Sequence, residues 1–310
     1  MRYAWRMTPP SRRLLALAAA GAAATAVRRR ATAGMDTADL AGRTAVVTGG
    51  GSGIGRALCL LFASRGARVH VADRDLAGAQ AVAAQITSSG GQGQAHQVDV
   101  SDAAAVEALA DELFAAGPVH LLFNNAGIGH AGAVVDTTLG DWRALVDVNL
   151  MGVVHGLHAF LPRLVAQADP SHVVNTASMA GLFPSPGLVP YSTTKAAVVG
   201  LSESVDREVV GHGVRVHALC PGIINTNIIA TSTMRGPWAQ KQAGVTKMYA
   251  TRGTSPDVVA RQALRAVSRG RTIVPSPRYQ VVPPWVVKRI SPAAGASLSA
   301  FMARSLSGGK

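Results

Sequence analysis

The 310-residue sequence predicts an α/β fold, a single domain built on a doubly wound parallel sheet with helices on both faces. Three observations predict it. Strand-like and helix-like patterns alternate from residue 43 onward. A glycine-rich turn, TGGGSGIG at residues 48–55, lies between the first strand and the first helix. No internal repeat and no low-complexity linker interrupts residues 43–275, so the alternation belongs to one sheet.

The elements follow in order from local pattern. RTAVVTG, from Arg43, is a short apolar run of buried-strand type, and IGRALCLLFASRG has helical period with a glycine stop at Gly66. ARVHVADRD is the second strand, followed by an alanine-rich helix over 76–89. GQAHQVDVSD gives the third strand, with Ser101 or Asp102 as N-cap of a helix running through Phe114. VHLLFNNAG is the fourth strand, and a long helix pattern covers about 138–168. HVVNTAS is the fifth strand, and a second long helix covers 191–211. VRVHALCPG, SPDVVARQALRAVSRG and TIVPS complete the series as strand, helix and last strand. In a sheet of this kind ligands bind at the carboxyl ends of the strands, and the chemistry-bearing residues fall in the loops there.

Composition excludes several classes. Hydrophobic residues at 48% and 33 glycines describe a packed core with many tight turns. Two cysteines, Cys59 and Cys220, make neither a disulfide framework nor a zinc motif, which suits a reducing compartment. His155 and His158 share a helical face but lack a third ligand, so no metal is expected. Of 30 Lys and Arg, seven lie in residues 1–35 and six in 271–310, whereas all 17 Asp and Glu lie in 36–270 with the other 17 basic residues. The formal +13 is therefore carried by the two ends. A neutral body with only 5% aromatic residues argues against a nucleic-acid partner.

Within the glycine-rich turn, Gly49, Gly53 and Gly55 are spaced G-x-x-x-G-x-G. Such glycines let backbone approach a pyrophosphate, and the following helix N-terminus offers it unpaired N–H groups. Asp73, at the end of the second strand, suits the ribose hydroxyls of an adenine dinucleotide and repels a 2′-phosphate; its plainer role is a helix-entry carboxylate. Arg74 is placed to receive a 2′-phosphate, while Ser52 stands in the turn where a basic residue would assist one, so NAD is favoured and NADP remains possible. Tyr191 and Lys195 lie one helical turn apart. An isolated pair of this kind is most often idle, but an ammonium beside a phenol lowers its pKa from ~10 toward neutrality and makes a proton-transfer pair.

The sequence resembles the short-chain dehydrogenase/reductase family over about 40–275, through T-G-x-x-x-G-x-G at 48–55, NNAG at 124–127, Asn149 in DVNLMG, Ser178 in NTAS, Tyr191 and Lys195, and Pro221-Gly222 followed by Thr226. The resemblance implies a single-domain Rossmann-type fold and an NAD(P)-dependent oxidoreductase acting on an alcohol or carbonyl carbon. It implies a catalytic set of Asn149, Ser178, Tyr191 and Lys195. Tyr191 is then the general acid/base, Lys195 lowers its pKa and binds the nicotinamide ribose, and Ser178 holds the substrate oxygen. Asn149 shapes the long helix around a water that leads from Lys195 to solvent. The implied cofactor site comprises Gly49, Ser52, Gly53, Ile54, Gly55, Asp73, Asp99, Val100, Asn125, Tyr191, Lys195, Ile224 and Thr226. A non-redox or regulatory nucleotide-binding protein on this fold would predict a broken tetrad, and here it is intact.

The substrate pocket is expected from GLFPSPGLVP, with Leu182, Phe183 and Leu188, and from the segment after Pro221-Gly222, with Ile228, Ile229, Met234 and Trp238. These apolar residues suit a hydrophobic alcohol or ketone of steroid, retinoid or lipid-like type. The family resemblance implies a homodimer or homotetramer through the two long helices, with Val153, Val154, Leu157, Val198, Val199 and Leu201 as contacts. Residues 1–35 form a leader with an apolar run, Leu14 to Val27, between arginines; it reads as membrane-associating, as disordered or non-native ahead of Met35, or, less favoured, as an export signal. Residues 36–275 are the catalytic domain and 276–310 a basic extension with Trp285 beside Lys288 and Arg289. A cytoplasmic protein is expected, docking peripherally on an anionic membrane through its basic ends, unless the extension packs over the substrate lid or a subunit interface instead.

Overall fold

The computed structural model describes residues 35–307 apart from Ala168, with side chains to Arg304. The expected leader lies outside the described residues but for Met35, which is buried in the core. The main sheet comprises β1 (Thr44–Thr48), β2 (Arg68–Asp73), β3 (Gln92–Gln97), β4 (Leu121–Asn124), β6 (Ser171–Thr176), β7 (Val214–Pro221) and β9 (Ile273–Ser276). All pairings are parallel, in the order β3-β2-β1-β4-β6-β7-β9. The chain winds outward from β1 to β3, then crosses back to β4, so a crevice opens between the carboxyl ends of β1 and β4. A two-stranded parallel ribbon, β5 (His130–Ala131) with β8 (Thr233–Met234), stands apart from this sheet and was not foreseen.

The helices are α1 (Gly53–Ala63), α2 (Leu76–Ser88), α3 (Ala103–Ala116), α4 (Leu139–Val146), α5 (Gly152–Ala166), α6 (Met179–Leu182), α7 (Val189–Val209), α8 (Gln242–Arg252), α9 (Pro256–Ser268), α10 (Arg278–Ile290) and α11 (Pro292–Ser307). Asp102 caps α3, accepting from the Ala104 and Ala105 N–H groups. A π turn, Asp147–Met151, joins α4 to α5. Strand alternation divides the core between the two faces: Ala45 and Val47 meet Leu58, Phe62 and Val259 on one, Val46 meets Leu113, Phe160 and Val198 on the other.

One expectation changes here, and one of the two alternatives for the extension is met. Val153, Leu157, Val198 and Val199, anticipated as subunit contacts, are buried in the chain's own core, and Val154 and Leu201 are half-buried. The apolar excess on these helices is taken up because they pack on each other's neighbours as well as on the sheet. The extension after β9 is helical and folds back on the domain. Val281 is fully buried, Trp285 packs against the core, and α10 and α11 pack together. The solvent side of α10 carries Val286 and Ile290 beside Arg289, whose guanidinium lies 5.6 Å over the Trp285 ring.

Candidate active site

A cleft of about 540 Å³ opens at the carboxyl ends of β1, β2, β4, β6 and β7. At one end the glycine-rich turn is compressed against its neighbours. A Cβ on Gly55 would lie 2.0 Å from the Gly49 carbonyl oxygen and 2.7 Å from Asn125 Nδ2, and a Cβ on Gly49 would lie 2.8 Å from Ala126 Cα. Gly49 and Gly53 also have φ of 63° and 52°, a region side chains avoid. Asn125 supports this turn: its Nδ2 donates to the Thr48 and Gly49 carbonyls at 3.1 and 3.3 Å, and its Oδ1 accepts from Thr176 Oγ1. Ser52 heads α1 without a side-chain cap, and no acidic residue lies in the first turn. That helix end is open to an anion.

Asp73 closes this end. Its Oδ2 accepts from Gly51 N–H at 2.9 Å and its Oδ1 from Asp75 N–H at 3.0 Å, so the carboxylate is held at the tip of β2. Arg74, Asp99, Val100 and Ile54 line the same wall, and Asp99 is tied to Ser101, which with its hydroxyl and N–H holds the carboxyl below its ordinary range. Backbone donors at a helix end, glycines where no Cβ fits and a fixed carboxylate one strand away are the parts a dinucleotide needs. These residues fit NAD.

At the centre, Ser178, Tyr191 and Lys195 converge on the cleft. Ser178 follows β6 and caps the short α6, its Oγ accepting from Ala180 N–H at 3.1 Å. Tyr191 and Lys195 lie in the first two turns of α7, with Lys195 Nζ 5.9 Å from the phenol ring centroid and donating to the Thr176 carbonyl at 2.8 Å. Burial pushes the Tyr191 phenol above its ordinary pKa, while a hydrogen bond with Ser178 pulls the other way. Burial also pulls Lys195 down to about 8. Desolvation acts against the lowering that the spacing of Tyr191 and Lys195 predicts, and the Lys195 hydrogen bond goes to β6.

Two predicted residues stand behind the cleft rather than on it. Gly55 packs beneath the turn, where its role is to let Gly49 pass. Asn149 is fully buried in the π turn and clamps Ile128, accepting from its N–H at 2.8 Å and donating to its carbonyl at 2.9 Å. The other predicted residues, Ile224 and Thr226 included, line the cleft.

The far end is mainly apolar, with Met179, Leu188, Ile228, Ile229 and Met234 among its walls and Asn227, Thr231 and Ser232 interleaved with them. Leu182 and Phe183 were expected there and are instead buried in the protein, because α6 turns them inward. Trp238 lies outside the cleft, its ring against Gly187. Two titratable side chains at this end were not singled out from the sequence. Tyr249, on α8, has its phenol pushed up to about 12 by burial and by the proximity of Tyr191. His130, on β5, is buried with neither ring nitrogen hydrogen-bonded among the described residues, 4.0 Å from an Asp141 carboxylate that Arg235 engages with two hydrogen bonds. No local motif marks either residue. His155, considered for a metal, donates from Nδ1 to the Val100 carbonyl at 2.8 Å.

Comparison with known proteins agrees with this geometry. The family model described as short chain dehydrogenase matches residues 43–235. The chain is 40% identical over 236 residues to the oxidoreductase EphD of Mycobacterium tuberculosis, an alignment covering 74% of this chain and 40% of that protein. The chain thus spans less than half the length of that relative. It is 35% identical over 190 residues to a cyclohexanol dehydrogenase of Acinetobacter, covering 61% of this chain and 75% of that one. Among solved structures, a short chain dehydrogenase/reductase from Burkholderia phymatum in complex with NAD superposes with a TM-score of 0.76 at 30% identity, covering 82% of this chain and 95% of that chain.

Proposed function

The chain belongs to the short-chain dehydrogenase family, and from that premise we propose that it interconverts a hydrophobic secondary alcohol and its ketone, using NAD in preference to NADP. The observation that carries this reading is the meeting, in one cleft, of Ser178, Tyr191 and Lys195 between a dinucleotide-type end and an apolar end. NAD, which the Gly49–Gly55 turn, Asp73 and Lys195 would hold, would supply hydride acceptance from the carbinol carbon and, in its reduced form, hydride return to the carbonyl carbon. Tyr191 takes the hydroxyl proton during oxidation and gives it back during reduction. Ser178 holds the substrate oxygen within reach of the phenol, and Lys195, fixed on the Thr176 carbonyl, holds its charge beside the ring. Met179, Leu188, Ile228 and Ile229 exclude water from the reacting carbon and favour an apolar substrate body. The relative named for cyclohexanol, a cyclic secondary alcohol, supports the same class.

Purified protein incubated with NAD or NADP and a panel of hydrophobic secondary alcohols, followed at the nicotinamide absorbance, tests the proposal. Turnover confined to small polar alcohols or sugars would refute the substrate class. Asp73 supports the cofactor preference, because a 2′-phosphate beside its fixed carboxylate is repelled. Asp73→Ala is expected to shift the ratio of dissociation constants toward NADP, with Arg74 exposed on the same wall. Tighter binding of NADP than NAD by the unmutated protein would overturn the preference.

A further inference from the structure

The end of β7 leaves a problem that the sheet does not solve. Its last residue, Pro221, pairs with Ser276 at the end of β9, and Gly222 N–H still reaches the Ser276 carbonyl at 2.8 Å. The next donor, Ile223 N–H, has passed the end of the neighbouring strand. It is taken up by a side chain 57 positions away: Gln280 Oε1 accepts it at 2.8 Å. The Gln280 amide nitrogen in turn faces Thr254 Oγ1 at 3.2 Å and the Tyr279 hydroxyl at 3.3 Å. Thr254 meanwhile donates its N–H to the Ile223 carbonyl and accepts from Asn225 N–H, each at 2.9 Å. The approach is close enough that a Cβ on Gly222 would lie 2.4 Å from Gln280 Oε1.

The loop held in this way is a wall of the cleft, since Gly222, Ile223, Ile224 and Thr226 all line it. Gln280 belongs to α10, outside residues 43–235 that the family model matches. The same extension also grips the segment that leads into Leu188, a residue that lines the cleft. Lys288 Nζ donates to the Leu182 carbonyl at 3.1 Å, and Ser299 Oγ donates to the Pro184 carbonyl at 2.6 Å, both in the segment that leads into Tyr191.

We propose that the C-terminal helices are a clasp on two segments, the cleft-lining loop after β7 and the stretch that leads into Tyr191, and that Gln280 is a positioning residue that sets the Gly222–Thr226 loop for cofactor binding. The proposal rests on the dinucleotide reading above. Its mechanism is local. Leaving the Ile223 N–H without an acceptor carries a desolvation penalty that the loop escapes by moving outward to water, and the wall moves with it. The acceptor oxygen is the essential part, so the two nearly isosteric variants separate. Gln280→Glu keeps an acceptor for Ile223 and can accept from the Thr254 and Tyr279 hydroxyls, whereas Gln280→Met keeps the bulk and loses every hydrogen bond.

The test titrates full-length parent and both variants with NADH, read by nicotinamide fluorescence without substrate, alongside thermal melts and steady-state kinetics on any alcohol the parent turns over. Gln280→Met is expected to weaken dinucleotide binding about tenfold, the consequence of one unmet backbone donor. It should raise KM for the cofactor while kcat at saturation stays within about twofold of the parent, because the Tyr191 region is gripped separately. Gln280→Glu should bind within about threefold of the parent. Equal dissociation constants for parent and Gln280→Met overturn the proposal, as do equal losses in both variants or a lowered melting temperature in Gln280→Met with unchanged affinity. Should Gln280→Met fail to fold, Gln280→Ala at lowered temperature carries the same comparison. A parent that binds no dinucleotide overturns both this proposal and the functional reading, whereas a parent that binds NADH but oxidises no hydrophobic alcohol leaves the clasp standing and removes only the substrate class.

Discussion

The two ends of the cleft are built from different materials. The dinucleotide-type end is built around backbone, Gly49, Gly51 and Gly53 with the open N-terminus of α1, and around Asp73 fastened by two N–H groups, with Ile54, Arg74, Asp99 and Val100 completing the wall. The apolar end is walled by side chains, Met179, Leu188, Ile228, Ile229 and Met234, carried on α6, the approach to α7, and the chain after β7. A backbone wall tolerates almost no substitution, since an added carbon meets atoms that have nowhere to go. A side-chain wall can be re-cut residue by residue. Under the proposed function, cofactor recognition falls to the rigid half and substrate choice to the adjustable half, with Tyr191 between them.

The largest effect is expected where the halves meet. Tyr191→Phe removes the hydroxyl and keeps the ring, so turnover should fall by roughly 10²–10⁴-fold. Dinucleotide affinity should stay near that of the parent. Near-normal turnover on a confirmed substrate would remove Tyr191 from the chemistry.

A direct attack on the backbone wall is Gly55→Ala. The added carbon would lie 2.0 Å from the Gly49 carbonyl oxygen, so turn or helix must shift. Overpacking of this kind costs about 1–3 kcal/mol of stability, and the displaced turn should lose dinucleotide affinity by about tenfold or more. Denaturant melts and NADH titration of the same preparation measure both. Undiminished binding would mean that the turn adapts and is not the rigid half.

The pH profile sharpens the assignment at the centre. On the proposed mechanism alcohol oxidation requires the Tyr191 phenolate, and burial raises the phenol's pKa above its ordinary value near 10. Throughout neutral pH the phenolate is thus the minor species, growing about tenfold per pH unit, and oxidation at saturating substrate should climb accordingly from pH 7 to 9. Ketone reduction, which uses the neutral phenol, should stay nearly flat over that range. An oxidation plateau beginning below pH 8 would mean that the Lys195 charge does govern the phenol, as the spacing of the two residues predicts.

The smallest effect belongs to the adjustable half. Met234→Ala trims a half-buried side chain on β8. KM for a bulky apolar alcohol should rise by roughly three- to tenfold, the worth of one or two methylene groups withdrawn from contact. Affinity for NADH should not change. A variant that loses NADH binding as well would show that the two halves are not separable.

Most of the architecture was legible because it is written locally. The buried runs at β1, β4, β6 and β7, the Asp102 cap and the glycines of the turn each depend on residues within a few positions of one another. The Tyr191–Lys195 pair is of the same kind, since one helical turn fixes it. Tertiary structure decided what local pattern does not contain. Leu182 and Phe183 are as apolar as Leu188, yet only Leu188 reaches the cleft, because α6 rotates the other two into the core. Burial raises the Tyr191 pKa where the spacing to Lys195 predicts a lowering, because desolvation depends on everything packed around a group, while spacing reports one neighbour. The clasp joins Ile223 to Gln280, Leu182 to Lys288 and Pro184 to Ser299 across 57, 106 and 115 positions. No periodicity or motif spans such distances; they are set when the chain after β9 turns back and the unpaired donors and acceptors of two loops find their partners.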